Sequence, residues 1–431
     1  MADAVLIRNV RVLDPSNGRD EIADLGIADG RMADPASLPN GALDEIDATG
    51  LVAVPGLIDM HVHFREPGDT AAETVASGSC AAARGGFTTV VAMPNTVPAV
   101  DTAERVREQQ ALARAAGRIR VLSSGCLTRE RQGRALADLA GMAAAGVAAF
   151  TDDGSVVPDR ALMKEAMRQA AALGLPVMDH ALDPELAGSG VMHDGDTARR
   201  FGLPGIPSAA ETIVVERDIA LCRETGCAIH IQHVSAAASV DRIREARRFG
   251  LPVSGEATPH HLFLCDSDIP DDNANFKMNP PLRTADDRAA LLNAVADGTL
   301  QAFATDHAPH TAEAKRRGMR AAPFGVIGLE TAVAVTYTAC VLSGRMSLME
   351  WIRRWTTGPA AILRMPPPSL APGQSADLTL LSFDKPFTVG EDTFASLSRN
   401  SPFFGMTLTG RAVRTFFSGF DKSLTLENSA S

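Results

Sequence analysis

Between residues 52 and 305, short apolar runs alternate with alanine-rich stretches, and this alternation restricts the fold more than any other feature. Eight of the runs read as strands: VAVPGLIDMHV (52–62), FTTVVAM (87–93), RIRVLSSG (118–125), VAAFT (147–151), PVMDH (176–180), AIHIQHV (228–234), PVSGEAT (252–258) and QAFAT (301–305). Helical segments separate them, among them ALMKEAMRQAAAL (161–173) and SVDRIREARRF (239–249). Strand and helix signals in alternation specify βα units and a parallel sheet, because parallel strands need a long crossover that a helix supplies. Eight units predict an α/β fold built on a (β/α)8 TIM-type barrel.

The chain ends differ in texture. LIRNVRVLD and EIADLGIADGRM alternate apolar and polar residues and end in turn formers such as Asn17-Gly18 and Asp29-Gly30. The same strand pattern returns in ADLTLLSF (376–383) and RAVRTFFSG (411–419). The expectation is one small β domain made from both ends, residues 1–54 and 366–431, beside a barrel of residues 55–365. A chain of 431 residues that is 45% hydrophobic is long enough for both, and too apolar to be disordered. The stretch Gly328 to Gly344 is interrupted by Glu330 and several threonines, and reads as a buried helix. A formal charge of −11 argues against general binding to nucleic acid or an anionic membrane. It leaves room for a few local cations to hold an acidic small molecule. The opening residues MADAVLIRNV show no signal-peptide pattern, and Cys80, Cys126, Cys222, Cys227, Cys265 and Cys340 form no CxxC pair. A reducing cytoplasm and small buried thiols are expected.

Metal-ligand residue types gather at the ends of the strand candidates. The first ends in His61-x-His63, the fourth in Asp152-Asp153-Gly154, and the fifth in Asp179-His180. The sixth carries His230-x-x-His233, and the eighth ends in Thr305-Asp306-His307. In a parallel barrel these ends share one face, where active sites form. An HxH pair on a strand puts both imidazoles on one side, because side chains alternate with period two. Imidazole with carboxylate suits Zn²⁺, other transition metals also being compatible. One such histidine reads equally well as a core or surface residue; recurrence at successive strand ends is what points to a metal site.

The segments GLIDMHVHFREPG (56–68), MPNT (93–96), FTDDGS (150–155), EATPHH (256–261), KMNPPLR (277–283) and ATDHAPH (304–310) together resemble the dihydroorotase signature of the amidohydrolase superfamily. The resemblance implies that His61 and His63 hold one metal, completed by Asp306, and that His180 and His233 hold a second. A carboxylate bridges the two. Many superfamily members use a carboxylated lysine there, but the fourth strand end has none, and Lys164 lies within the following helix. The chain instead resembles the class I bacterial type, whose bridge is an aspartate. Asp153 matches that ligand, which leaves Asp152 as a hydrogen-bonding partner of the turn or of a ligand. The implied cofactor is Zn²⁺, one or two per chain. Arg65 and Asn95 match the residues that bind the substrate carboxylate, with His310 as their partner and His63 beside them. Asn279 matches a hydrogen-bonding group for the pyrimidine ring, and Phe324-Gly325 a backbone contact with it. The stretch 310–323 reads either as a lid or as a solvated loop. His260 and His261 are expected to be structural or to support ligands. His307 is expected to orient Asp306 or its neighbours, and Lys277 to meet substrate or solvent. His193 and His230 receive no role.

The implied activity is reversible, metal-dependent hydrolysis of L-dihydroorotate to N-carbamoyl-L-aspartate in pyrimidine (UMP) biosynthesis, with Asp306 moving the proton. Two alternatives stand beside it. One is an allantoinase- or hydantoinase-like cyclic amidohydrolase, which HFREPG disfavours. The other is a catalytically silent subunit supporting aspartate transcarbamoylase, which the complete ligand set disfavours. The expected partner is a small-molecule substrate, with no nucleic acid and no membrane. A homodimer and an aspartate transcarbamoylase partner are both compatible with the resemblance.

Overall fold

The chain starts as a hairpin shaped by its own alternation. In the computed structural model, which describes residues 4–38 and 43–423, strand β1 (Ala4–Asp14) runs antiparallel to β2 (Arg19–Ala28). Val10 and Val12 are buried while Asn9 and Arg11 face out, the period of a strand covered on one side. The Asn17-Gly18 turn closes on Asp14, whose carbonyl accepts from the Gly18 amide at 2.9 Å. Next come β3 (Arg31–Ala33), which pairs with β2, and β4 (Leu43–Asp47), which pairs with β1.

The apolar run 52–62, expected as one strand, divides at Gly56. Strand β5 (Val52–Pro55) pairs with β1, whereas β6 (Leu57–Val62) opens a separate parallel sheet. A Cβ on Gly56 would lie 2.1 Å from Thr88 Oγ1, so glycine is what lets the Thr88 side chain pack against this joint.

In that parallel sheet β6 pairs with β7 (Phe87–Ala92), and β7 with β8 (Arg120–Ser123). Strand β9 (Val177–Asp179) starts a second parallel sheet. A short pair, β10 (Met192–His193) and β11 (Gly205–Ile206), follows outside it. The second sheet continues through β12 (Ile229–Ile231), β13 (Val253–Ala257) and β14 (Ala302–Phe303), in the order β9-β12-β13-β14. Single-residue bridges connect the two sheets: Phe150 pairs with Gly125 and Val177, and His307 with Val62. The predicted strand 147–151 is thus reduced to one bridging residue, because the chain turns at once into Asp152-Asp153-Gly154. The run 301–305 is shortened because Thr305 bends to give its amide to Asp59 at 3.1 Å.

Strands β15 (Leu378–Thr388), β16 (Thr407–Phe417) and β17 (Phe420–Asp421) join the first sheet, in the order β17-β16-β15-β5-β1-β2-β3 with β4 on β1. Both chain ends therefore meet in one mixed sheet. Residues 1–3, 39–42 and 424–431, which the expected terminal domain includes, lie outside the described residues.

The core joins helices to strands. Trp351 and Trp355 are fully buried, and Trp355 packs against Phe87 and Phe303, each at a centroid distance of 5.2 Å. Both indole N–H groups donate to Thr336 Oγ1, at 3.0 and 3.3 Å, which satisfies the polar edge of each ring inside the core. Thr336 ends the helix Ala332–Thr336, in the stretch expected to be a buried helix. Among the described residues, no helix is long and apolar enough to cross a membrane.

Candidate metal centre and substrate cavity

Where the parallel strands end, a bulge decides the direction of two histidines. Ile58 and Met60 pack between the two parallel sheets with Val91, Met178 and Ala302, whereas Leu57 and Val62 join the larger cluster shared with the helices. Between Asp59 and Val62 the pairing of β6 with β7 slips by one residue. Such a bulge changes the phase of the alternation, and it delivers His61 and His63 into the same space as Asp153, His233 and Asp306. Asp153 follows the bridge at Phe150, with its amide held by Thr151 Oγ1 at 3.0 Å. His180 follows β9. His233 and Asp306 come from turns after β12 and β14, with φ of +30° and +49°. Non-glycine residues rarely adopt this region, and such strain concentrates at functional sites.

The side chains form one buried cluster. His61 Nε2 lies 3.0 Å from Asp153 Oδ1 and 3.4 Å from Asp306 Oδ1. His63 Nε2 lies 3.0 Å from Asp306 Oδ1 and 3.6 Å from Asp153 Oδ2. His180 Nδ1 is 2.8 Å from His233 Nε2 and 4.0 Å from Asp153 Oδ1. Among the described residues, two sets of three offer ligand atoms within 4.8 Å of one another: His61 with His63 and Asp306, and His61 with Asp153 and His233. The first set is the one expected for one metal. In the second, His61 accompanies His233 where His180 was expected, and His180 meets the set through His233. His61 Nε2 and Asp153 Oδ1 are buried without a hydrogen-bond partner among the described residues. Buried polar atoms are nearly always satisfied, so an orphaned nitrogen beside an orphaned oxygen, amid imidazole and carboxylate donors, fits a divalent cation.

Charge and burial oppose each other here. Burial works to raise the Asp153 carboxyl, but the charges of His61 and His63 prevail and hold it well below its usual range. Burial works to lower His61, but Asp153 and Asp306 prevail and raise it. His180 and His233 are driven down, by burial first, which favours the neutral imidazole that ligates metal. Asp152 turns away from the cluster. Its Oδ1 accepts from the amides of Leu127 at 2.9 Å and Thr128 at 3.1 Å. Lys164 pairs with Glu224 at 2.9 Å, with half its side chain exposed.

The backs of the histidines are held by residues the sequence reading did not assign. Glu256 Oε1 accepts from His61 Nδ1 at 2.9 Å, and its Oε2 from His230 Nε2 at 3.0 Å. Burial works to raise this carboxyl, but the hydrogen bonds from His230 and His61 bring it down to about 2. His230, given no role, thus anchors the carboxylate that orients His61. Gln232 Nε2 lies 3.3 Å from His61 Nδ1. Asn95, expected at the substrate, also supports the cluster: its Oδ1 is 2.9 Å from His63 Nδ1, and its Nδ2 is 3.2 Å from Asp153 Oδ2. An acid inside an otherwise apolar strand was the visible signal for Glu256.

Above the cluster lies a cavity of about 260 Å³. His63, Arg65, Asn95, Asn279, His310, Phe324 and Gly325 all line it, as do Asp153, His180, His233 and Asp306. His61 lies beneath them, fully buried. Asn279 Nδ2 is 3.2 Å from His180 Nε2. Arg65 gives its Nε–H to the Pro309 carbonyl at 3.2 Å. Arg131 also lines the cavity and donates to the Asp153 carbonyl and, at 3.2 Å, to Ser155 Oγ; no motif marked it in the sequence. Lys277 is buried rather than solvated, donating to the Ala322 carbonyl at 2.6 Å over the Phe324 ring. His307 points away from Asp306, with Nε2 3.4 Å from Glu73 and Nδ1 accepting from the Gly328 amide at 3.2 Å. His261 bridges Thr258 and the Pro280 carbonyl. In the stretch 310–323 two short helices, Ala312–Lys315 and Gly318–Ala321, bury Lys315 and Met319.

Comparison with known proteins gives a sequence family and a shared fold. A family model described as dihydro-orotase-like matches residues 50–239. A dihydroorotase from Bacillus caldolyticus is 46% identical over 376 residues, covering 87% of this chain and 88% of the relative. A dihydroorotase from Geobacillus sp. (strain WCH70) is 44% identical over 418 residues, covering 96% of this chain and 98% of the relative. Among solved structures, the L-hydantoinase (dihydropyrimidinase) from Arthrobacter aurescens superposes with a TM-score of 0.83 at 26% identity, covering 99% of this chain and 97% of that one. The dihydropyrimidinase from Brevibacillus agri NCHU1002 has a TM-score of 0.84 at 24% identity, covering 98% and 96%, a likeness of fold.

Proposed function

This chain belongs to the dihydroorotase family, and from that premise we propose how its own residues carry out the family's reaction. It is a metal-dependent cyclic amide hydrolase, and its activity is the dihydroorotase one: reversible hydrolysis of L-dihydroorotate to N-carbamoyl-L-aspartate. The observation that carries the mechanism is the meeting of the orphaned His61–Asp153 pair, three further histidines and Asp306 beneath a cavity that Arg65 lines.

The proposed metal is Zn²⁺, held by His61, His63 and Asp306, with Asp153, His180 and His233 forming a second position. A bound divalent metal would polarise the ring carbonyl and lower the pKa of water toward about 7. Asp306, beside both His61 and His63, accepts the proton of the attacking water and returns it to the leaving ring nitrogen. Arg65 and Asn95 bind the ring carboxylate, the guanidinium fork suiting two carboxylate oxygens. Asn279 and the Phe324-Gly325 backbone face the ring. Deep burial of the cluster excludes bulk water, which strengthens these charge interactions.

The two parallel sheets and their bridges are read as one eight-stranded barrel over residues 55–365, with the terminal sheet as a small β domain from 1–54 and 366–431. All six cysteines are unpaired, in keeping with a reducing cytoplasm. The deciding experiment is turnover of dihydroorotate, allantoin and hydantoin by protein of measured metal content. Dihydroorotate should be preferred by orders of magnitude. Preference for allantoin or hydantoin, or no turnover of any substrate by metal-loaded protein, would overturn the reading.

A further inference from the structure

The Phe324-Gly325 wall of the cavity is held by a buried cation that has no carboxylate partner among the described residues. Lys315 is 7% exposed, and its ammonium donates to three backbone carbonyls: Lys277 at 3.2 Å, Pro323 at 3.1 Å and Gly325 at 2.7 Å. Burial, with Lys277 nearby, pushes its pKa down to about 7. A buried lysine kept without a counter-ion is costly, so its three carbonyl contacts call for a purpose.

That purpose is visible in what lies between the carbonyls. Lys315 takes the carbonyls of Pro323 and Gly325, and the chain bends at the intervening Phe324, whose carbonyl is left to a different partner. That carbonyl accepts from His310 Nε2 at 2.7 Å. His310 is held neutral, its pKa pushed down to about 3 by burial and then by Arg65. With its Nε2–H committed to Phe324, the ring has a fixed tautomer, and Nδ1 carries the lone pair.

Asn400, from the C-terminal segment, braces the same peptide. Its Nδ2 donates to Gly325 O and Ala308 O, each at 3.0 Å, and its Oδ1 accepts from the His310 amide at 3.1 Å. The Gly325 amide in turn donates to Lys277 O at 3.0 Å. Gly325 has a φ of +134°, and a Cβ there would lie 2.7 Å from Ala308 Cβ and 3.0 Å from His310 Nε2. The wall is therefore built for one arrangement.

We propose that Lys315 and Asn400 are positioning residues for substrate recognition: together they fix the Phe324-Gly325 peptide and, through the Phe324 carbonyl, the tautomer and orientation of His310. This rests on the dihydroorotase reading, in which His310 and the Phe324-Gly325 backbone meet the substrate. The residues touch neither the metal cluster nor the reacting atoms, so their effect falls on KM and not on kcat.

The test uses metal-loaded full-length protein with Lys315→Met and Asn400→Ala, each alone and combined with His310→Ala. Either single variant should raise KM for dihydroorotate about tenfold, the scale of one lost buried hydrogen bond, with kcat within about threefold and metal content unchanged. In the His310→Ala background the same changes should add less than about twofold, because residues acting through one partner are not additive. Wild-type KM in both single variants, or a full tenfold increase on top of His310→Ala, would overturn the proposal. If one variant fails to fold, the other carries the test, since both hold the Gly325 carbonyl. Nitrogen NMR of His310 in the wild type, assigned by its loss in His310→Ala, gives a readout needing neither variant. The Nε2–H tautomer at neutral pH is expected, and the Nδ1–H form or imidazolium overturns it. Wild-type protein that fails to hydrolyse dihydroorotate defeats the underlying reading instead, a result distinguishable from either of these.

Discussion

Glutamine in place of Glu256 would change one buried atom and test whether metal affinity depends on the group behind a ligand. Glu256 accepts at both oxygens: His61 Nδ1 at 2.9 Å on Oε1, and His230 Nε2 at 3.0 Å on Oε2. The His233 amide donates to Oε1 as well, at 3.2 Å. With its pKa near 2, the carboxylate is charged at every working pH. The amide of Glu256→Gln can replace one accepting oxygen but turns the other into a donor. One imidazole then faces N–H against N–H and must change tautomer or turn. A hydrogen bond to a charged group contributes about 1.5–3 kcal/mol, equivalent to roughly 10- to 150-fold in affinity. Groups that orient metal ligands typically affect affinity by about 10–100-fold, so the two arguments agree. Zinc affinity would be measured by competition with a chromophoric chelator, and the fold by thermal unfolding of metal-free protein. Affinity within about twofold of wild type would refute the reasoning. A fall in unfolding temperature alone would mean that Glu256 serves the fold through His230 and not the metal through His61.

Four other outcomes are expected. Asp306→Asn should lower turnover by about 10²-fold or more, as loss of a positioned proton carrier does; near-normal turnover at normal metal content would remove its role. Asp153→Ala should weaken metal binding far more than Asp152→Ala, because Asp152 is committed to the Leu127 and Thr128 amides; a metal titration giving the reverse order would refute the assignment. Arg65→Met should reduce kcat/KM for dihydroorotate about tenfold or more while sparing residual hydrolysis of dihydrouracil, which lacks the carboxylate, and Arg65→Lys should rescue only part; equal losses on both substrates would count against the carboxylate role. His310, with a folded pKa near 3, binds fewer protons folded than unfolded between about pH 3 and 6.5, so it stabilises above 6.5 and loses that contribution as pH falls. Between pH 8 and pH 5 the loss is about 2 kcal/mol; unfolding of His310→Gln should be less acid-sensitive by about that amount, and an unchanged pH slope would refute it.

The ligand types were legible because strand ends are fixed by where apolar runs stop. His61, His63, Asp153, His180, His233 and Asp306 can all be found that way, and the structure brings them together. The route by which His61 and His63 reach the cluster was not legible. Simple alternation from Ile58 and Met60 would point them elsewhere, and the one-residue slip against β7 that redirects them depends on pairing with a distant segment. The division of 52–62 at Gly56 was hidden for a like reason, since both halves are equally apolar and only their neighbours differ. The separation of Asp153 from Asp152 needs the amides of Leu127 and Thr128, which no local pattern places. Arg131 and Lys315 sit in polar stretches where a charge left in solvent and a charge turned into the structure have the same sequence signature.

The joint at Gly56 has a mechanical consequence. Its amide is held by the Asp377 carbonyl at 2.9 Å, next to the strands formed from the far end of the chain, and the following amide, of Leu57, by the Gly86 carbonyl at 3.3 Å. With one residue between β5 and β6, there is no slack through which one could pivot on the other. The terminal sheet is therefore a foundation for the histidine-bearing strand, not an appendage. A shortened chain beginning at Leu57 would keep every residue of the cluster yet lose the abutment that sets the height and twist of His61 and His63, and for that reason the two ends of this chain and its centre are expected to persist or fail as one object.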